Sequence, residues 1–173
     1  MNFPQILCIT NDFGPRAGGI ETFIIGLLER MPRGEVVVYT SYQDEAEDYD
    51  RQWLNNYGVE VIRDKSKILL PTPRVIRALQ LILRTKGLNQ IWFGAAAPLG
   101  LSARFLRTAE IKRIVALTHG HEVWWAKIPP FSKASLFALT IIYSFCFNGG
   151  AIFIITMFYF ELGKLILRNF LMK

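Results

Sequence analysis

Two hydrophobic patterns take turns along the first two thirds of the chain. Ile6–Thr10, Val36–Thr40, Val59–Ile62, Gln90–Phe93 and Arg113–Leu117 are short runs, β-branched or aromatic, bounded by turn residues. Such runs predict strands, and the continuous β-branched run Val36–Thr40 is typical of one buried on both faces of a parallel sheet. Between them lie segments of helical spacing. Ile20–Met31 puts Ile20, Phe23, Ile24, Leu27, Leu28 and Met31 on one face, and Arg74–Thr85 does the same with Val75, Ile76, Leu79, Ile82 and Leu83. Asp44–Tyr57, with Tyr49, Trp53 and Leu54 at helical intervals, and about Leu99–Thr108 predict two more helices. Pro32-Arg33-Gly34, Gly58, Pro71 and Pro73 punctuate the series. Strands alternating with helices predict an α/β fold, a Rossmann-like doubly wound parallel sheet. Ligands of such sheets bind beyond the carboxyl ends of the strands, near the switch in strand order. Thr10–Gly19, Gly94–Pro98 and Thr118–Glu122 would converge on that edge.

The first of these stretches reads T-N-D-F-G-P-R-A-G-G-I-E from Thr10 to Glu21, a glycine-rich loop between a strand and a helix. Gly18 and Gly19 stand at the helix start, where the first backbone N–H groups lack intrahelical partners. Without Cβ atoms there, a phosphate or a polar sugar face can approach the backbone. The same glycines are equally explained by a βα turn that needs them for its geometry. Neither the dinucleotide fingerprint nor the P-loop pattern is present. Thr118–Glu122 holds both histidines, His119 and His121, beside Glu122, directly after a buried strand. The H-G-H-E spacing is not that of a helical zinc motif, and no third ligand is evident. A histidine that hydrogen-bonds a sugar hydroxyl or acts near a reacting centre fits better.

Net charge and cysteine content refine this picture. The formal charge of +6 is concentrated between Arg63 and Arg113, where only Asp64 and Glu110 oppose a dense set of Lys and Arg, and an acidic counterweight sits at Asp44–Asp50. A basic face attracts nucleic acid, anionic lipid or anionic substrate, or is simply solvated. No nucleic-acid recognition motif accompanies it, and the aromatics are not interleaved as a stacking platform. Cys8 and Cys146 lie in unlike surroundings and form no disulfide framework, which fits a reducing cytoplasm. The N-terminus has no basic and apolar signal-peptide pattern.

A first strand followed by P-R-A-G-G-I-E (Pro15–Glu21), with a fifth strand ending in T-H-G-H-E-V (Thr118–Val123), resembles the N-terminal half of GT-B glycosyltransferases of family 4. Within these the chain looks most like the actinobacterial mannosyltransferases that use GDP-mannose and build phosphatidylinositol mannosides. The resemblance covers about residues 4–130. It implies retaining transfer of mannose from GDP-mannose to a phosphatidylinositol-type lipid, with no metal and no cofactor beyond the nucleotide sugar. By position, it places Gly18, Gly19 and Glu21 against donor phosphate and substrate, and His119 as the catalytic residue beside the transferred sugar. Asp12, Arg16, His121 and Glu122 would support the pocket. Arg74, Arg77, Arg84 and Lys86 would dock on an anionic membrane at the cytoplasmic face.

The same resemblance demands a second Rossmann-like domain carrying an Arg, a Lys and an E-x7-E pair for the nucleotide diphosphate. Glu21 and Glu29 have that spacing but lie on the first helix, away from where the motif belongs. Residues 1–130 are therefore expected to be the acceptor-side domain of a truncated enzyme, inactive alone. The alternatives are one subunit of a split glycosyltransferase, completed by a separately encoded C-terminal domain, and a non-catalytic membrane-associated lipid-binding module. After Pro130 the resemblance stops. Residues 131–173 form a hydrophobic tail in which Ala134–Phe160 carries no charge. That run is longer than the ~20 residues a membrane helix needs. The expectation is an atypical hydrophobic helical tail, either a transmembrane segment or hairpin, or the product of a frameshift.

Overall fold

The structure, a computed structural model, describes residues 5–16, 18–96, 98–119 and 152–156. Strands β1 (Ile6–Thr10), β2 (Val36–Thr40), β3 (Glu60–Arg63), β4 (Gln90–Phe93), β5 (Arg113–Thr118) and β6 (Ile152–Thr156) form one sheet in the order β3-β2-β1-β4-β5-β6. Every neighbouring pair is parallel. This is the Rossmann order, with its switch between β1 and β4.

Helices α1 (Gly19–Leu28), α2 (Glu47–Tyr57), α3 (Pro73–Lys86) and α4 (Ala103–Leu106) complete the layers. Alternate strand residues feed two cores. On one face Leu7, Ile9, Val37, Tyr39, Ile91, Phe93, Ile114 and Ala116 pack with Val75, Ile76, Leu79 and Leu83 of α3 and Leu106 of α4. On the other, Ile6, Cys8, Val36, Val38, Trp92, Val115 and Leu117 pack with Ile24 and Leu28 of α1 and Trp53 of α2. Burial on both faces explains the unbroken apolar runs of β1 and β2, whereas β3, at the edge of the sheet, is only partly buried. A fully buried side chain such as Leu79 contributes about 1.5–3 kcal/mol.

Local chemistry sets the element ends. Thr72 caps α3 by accepting from the Val75 N–H at 3.3 Å, Pro73 follows it, and Gly87 closes the helix. Gly58 ends α2 at φ 67°, and a Cβ there would lie 2.7 Å from Arg33 Cγ and 2.9 Å from the Gly34 nitrogen. Only glycine meets both conditions.

The predicted helix at Leu99–Thr108 is instead a 3-10 turn over Leu99–Ser102 followed by the single turn of α4. Gly100 and Ser102 are poor helix formers, and Arg107 is already extended. A second difference lies in the tail. Ile152–Thr156 is a strand, with Ile114 beside Ile152 and Thr118 beside Thr156, where a helical segment was expected. Its sequence I-F-I-I-T matches the β-branched character of Val36–Thr40, and it extends the sheet beyond β5. The rest of the tail lies outside the described residues.

Candidate functional site

The site begins at the carboxyl ends of β1 and β4. After Thr10 the chain enters the loop to α1, which is tied down on three sides. Asn11 donates to the Leu69 carbonyl at 3.1 Å and accepts from the Leu69 N–H at 2.7 Å. Gln43 donates to the Phe13 carbonyl at 2.6 Å, and the Arg16 N–H reaches Gln43 Oε1 at 3.3 Å. Arg63, at the end of β3, donates to the Gly14 carbonyl at 2.7 Å and the Ser41 carbonyl at 3.2 Å. It is held there by two bonds to Asp50, both 2.7 Å. Phe13 is fully buried, its ring edge-on to both Tyr49 and Trp53. Asp12 sits at the turn itself, its N–H donating to Thr10 Oγ1 at 2.9 Å.

The two glycines then open α1. Gly18, the N-cap, is extended, with φ −165°, and supplies no side-chain cap. The first-turn N–H groups, which have no intrahelical partners, get no cap from this residue. An extended φ is available to any residue, and a Cβ on Gly18 would meet only the flexible Glu21 carboxylate, 2.2 Å from Oε2. Gly19 is helical, and among the described residues a Cβ on it would meet nothing within 4 Å. The loop's geometry therefore does not require glycine at either position. What the missing Cβ of Gly19 leaves, among the described residues, is bare backbone with open space in front of it, while the Glu21 carboxylate stands in front of Gly18. Glu21 places its carboxylate beside Gly18, which suits a hydroxyl-bearing ligand there and opposes an anion approaching from that side.

His119 follows β5 directly. Its Nε2 lies 2.6 Å from the Gly94 carbonyl at the end of β4, and its ring stands edge-on to Phe23, centroids 5.8 Å apart. Phe23 is one helical turn beyond Gly19, so the histidine reaches the first turns of α1. Gly94 is pressed between strands: a Cβ there would lie 2.5 Å from Thr10 Oγ1, 2.6 Å from Thr10 Cβ and 3.3 Å from Ile24 Cδ1. Its N–H donates to the Ile9 carbonyl at 2.8 Å, and Ala96 N–H donates to the Leu117 carbonyl at 2.7 Å. The ends of β1, β4 and β5 are thus locked together under the site. His121 and Glu122 lie outside the described residues. Among the described residues no group of three or more His, Cys, Asp or Glu could hold a metal ion.

The four cations read as one docking face have different surroundings. Arg74 grips the buried Asp64 with both prongs, at 2.7 and 2.9 Å, and Lys86 pairs with Glu60 at 2.7 Å. Arg77 and Arg84 are exposed along α3. Asp64 also accepts from the Tyr39 hydroxyl and from the Ser66 N–H. The Arg74 guanidinium, with these two donors, holds its carboxyl far below the usual carboxylate range. Burial, and then Asp64, push the Tyr39 phenol up, so it remains a donor. Burial also pushes the Cys8 thiol up to about 12, which makes it an inert core residue. The sequence did not single out Asn11, Arg63 or Asp64. A polar residue at the end of a predicted strand is the signal they share.

No family model matches the chain. A search of characterised proteins gives strong matches. A GDP-mannose-dependent monoacylated alpha-(1-6)-phosphatidylinositol monomannoside mannosyltransferase of Corynebacterium glutamicum is 39% identical over 127 residues, covering 72% of this chain and 32% of that protein. The chain is a relative of the actinobacterial phosphatidylinositol monomannoside mannosyltransferases. GDP-mannose-dependent alpha-(1-6)-phosphatidylinositol monomannoside mannosyltransferases of Mycolicibacterium smegmatis and Mycobacterium tuberculosis are 38% and 36% identical, again over 72% of this chain. The chain spans about a third of the length of these mannosyltransferases. Among the described residues, no helix is long and apolar enough to cross a membrane.

Proposed function

We propose that the chain forms the acceptor-side half of a retaining, metal-independent mannosyltransferase of GT-B fold that moves mannose from GDP-mannose to a phosphatidylinositol-type lipid. One observation supports the reading: Gly19 is a glycine that the helix does not need, and among the described residues nothing fills the space beside it, on the helix whose Phe23 meets the His119 ring. In this reading the bare backbone of α1 and Glu21 receive the polar head of the substrate, and His119 touches the transferred sugar. Asp12 and Arg16 would support the pocket, as would His121 and Glu122 beyond the described residues. The nucleotide diphosphate is held by a second domain, which the remaining two thirds of the relatives are long enough to supply. Positive charge placed there against the leaving group would provide the larger share of catalysis.

The lipid reading draws on the outer face of α3. Leu81 is 63% exposed, and Arg77 and Arg84 flank it. Gln80 donates to the Phe105 carbonyl at 2.9 Å, which brings α4 alongside, and the exposed Phe105 carries Arg104 at 4.3 Å from its ring centroid. Ile68 and Leu70, before α3, are exposed as well. Apolar side chains ringed by cations suit the interface of an anionic membrane. This surface also sustains the second reading, a membrane-docking module without catalysis.

The test is a chimera in which residues 1–130 replace the matched segment of the C. glutamicum relative. Labelled mannose transfer from GDP-mannose to phosphatidylinositol monomannoside in vesicles is measured. His119→Ala is expected to lower the rate about a hundredfold or more, about 2.7 kcal/mol of transition-state stabilisation. A folded chimera that floats with the vesicles but transfers nothing would leave the docking module standing instead.

A further inference from the structure

Arg63 lies two strands away from β1, yet its side chain ties together three segments at the carboxyl edge of the sheet. Register places it beside Thr40, at the end of β2. Its Nε and Nη2 donate to the two carboxylate oxygens of Asp50, each at 2.7 Å. Nη1 donates to the Ser41 carbonyl at 3.2 Å, and Nη2 also reaches the Gly14 carbonyl at 2.7 Å. We infer that Arg63 is a positioning residue of the glycine-rich loop: through Gly14 it sets where the start of α1 stands for an arriving ligand, and it does so by the planar shape of its guanidinium rather than by charge alone. The inference rests on the mannosyltransferase reading only for what that ligand is.

The grip is built from two sides. Asp50, in the first turn of α2, offsets the charge, and the Arg63 side chain is only 11% exposed. One edge of the guanidinium faces the carboxylate, which leaves other N–H groups for the two carbonyls. Bonds from a charged donor are roughly twice as strong as neutral ones. The preceding residue of α2, Tyr49, presses on the same peptide: a Cβ on Gly14 would lie 2.5 Å from both Tyr49 Cζ and Oη. Gly14 is thus packed against one α2 side chain, while its carbonyl is held by the partner of the next. Gly18 follows four positions on. A lysine ammonium can keep the charge against Asp50, but it is a compact point donor without the flat fork that spans all three acceptors.

A loop held in one arrangement binds at full affinity. A loop released into several binds more weakly, in proportion to the competent fraction. Loosening therefore raises KM and spares the turnover of bound substrate, whereas a misfolded fraction of enzyme lowers kcat at unchanged KM. The variant is Arg63→Lys, read in two ways. In the 173-residue chain, amide hydrogen exchange at Arg16, whose N–H bonds Gln43, is expected to quicken about tenfold while the amides of β1 keep their protection. In the C. glutamicum chimera, KM for phosphatidylinositol monomannoside is expected to rise about tenfold, with kcat changed less than about twofold. Unchanged exchange at Arg16, exchange quickened equally through the sheet, or a lower kcat at unchanged KM would overturn the inference. If Arg63→Lys does not fold, Asp50→Asn, which keeps the guanidinium and one acceptor oxygen, carries the same two readouts. A parent chimera that transfers nothing would sink the enzyme reading, and exchange at Arg16 would still decide whether Arg63 holds the loop.

Discussion

Gly19→Ala separates a glycine kept for a ligand from a glycine kept for the fold. Among the described residues the added methyl meets nothing within 4 Å, and the backbone is already helical. Alanine is the better helix former, by about 0.8–1.0 kcal/mol in a helix interior. It also lowers the entropy of the unfolded chain, a gain of roughly 0.4–1 kcal/mol where the conformation is compatible. At the first helical position we expect about half the interior gain, near 0.5 kcal/mol, which raises the melting temperature by one or two degrees in a chain of this size. Function should respond in the opposite direction. A methyl group in front of the α1 N-terminus holds a ligand away from the bare N–H groups. Losing one or two hydrogen bonds to a charged or strongly polar ligand costs roughly 1.5–3 kcal/mol each, or at least tenfold in kcat/KM. Thermal unfolding of the chain and mannosyl transfer by the chimera read the two effects separately. A destabilised Gly19→Ala protein would mean that the turn needs its glycine. Unimpaired transfer would mean that no ligand comes near it.

Other substitutions test the frame around the site. Gly94→Ala pushes a methyl into Thr10 and Ile24, both buried, and should cost about 1–3 kcal/mol in denaturant unfolding; a neutral result would refute the close packing of β1, β4 and α1. Asp64→Asn should cost roughly 1–3 kcal/mol at neutral pH, since the Tyr39 hydroxyl, the Ser66 N–H and Arg74 lose a charged acceptor. The folded-state carboxyl titrates below its unfolded value. Its stabilisation is therefore full above the ordinary carboxylate value of about 3.9 and is lost as pH falls through the lower, folded-state value. Stability of the Asn variant should fall less steeply with acid than that of the parent, and parallel pH profiles would refute the pairing.

The fold was legible where a single period dominates. The limits of β1, β2 and β4 follow from unbroken β-branched or aromatic runs, and α3 follows from its one-sided apolar stripe, because burial on two faces or one leaves a local trace. β6 was hidden for the same reason: inside a long uncharged stretch, periodicity cannot distinguish a buried strand from an apolar helix, and pairing with β5 decided it. The resemblance carried by P-R-A-G-G-I-E and T-H-G-H-E-V named the relatives, since those motifs are contiguous in the chain. What the sequence by itself determined, then, is the alternation of elements, the parallel sheet and the kin. Tertiary structure alone decided which polar groups meet. Arg63 reaches Gly14 across 49 positions, Asn11 reaches Leu69 across 58, and His119 meets Gly94 across 25. It also decided that Arg74, one of a run of like cations in the sequence, is held by a buried carboxylate while Arg77 is exposed. Such pairings depend on where separate strands end relative to one another, a distance fixed by sheet register and packing rather than by any local pattern.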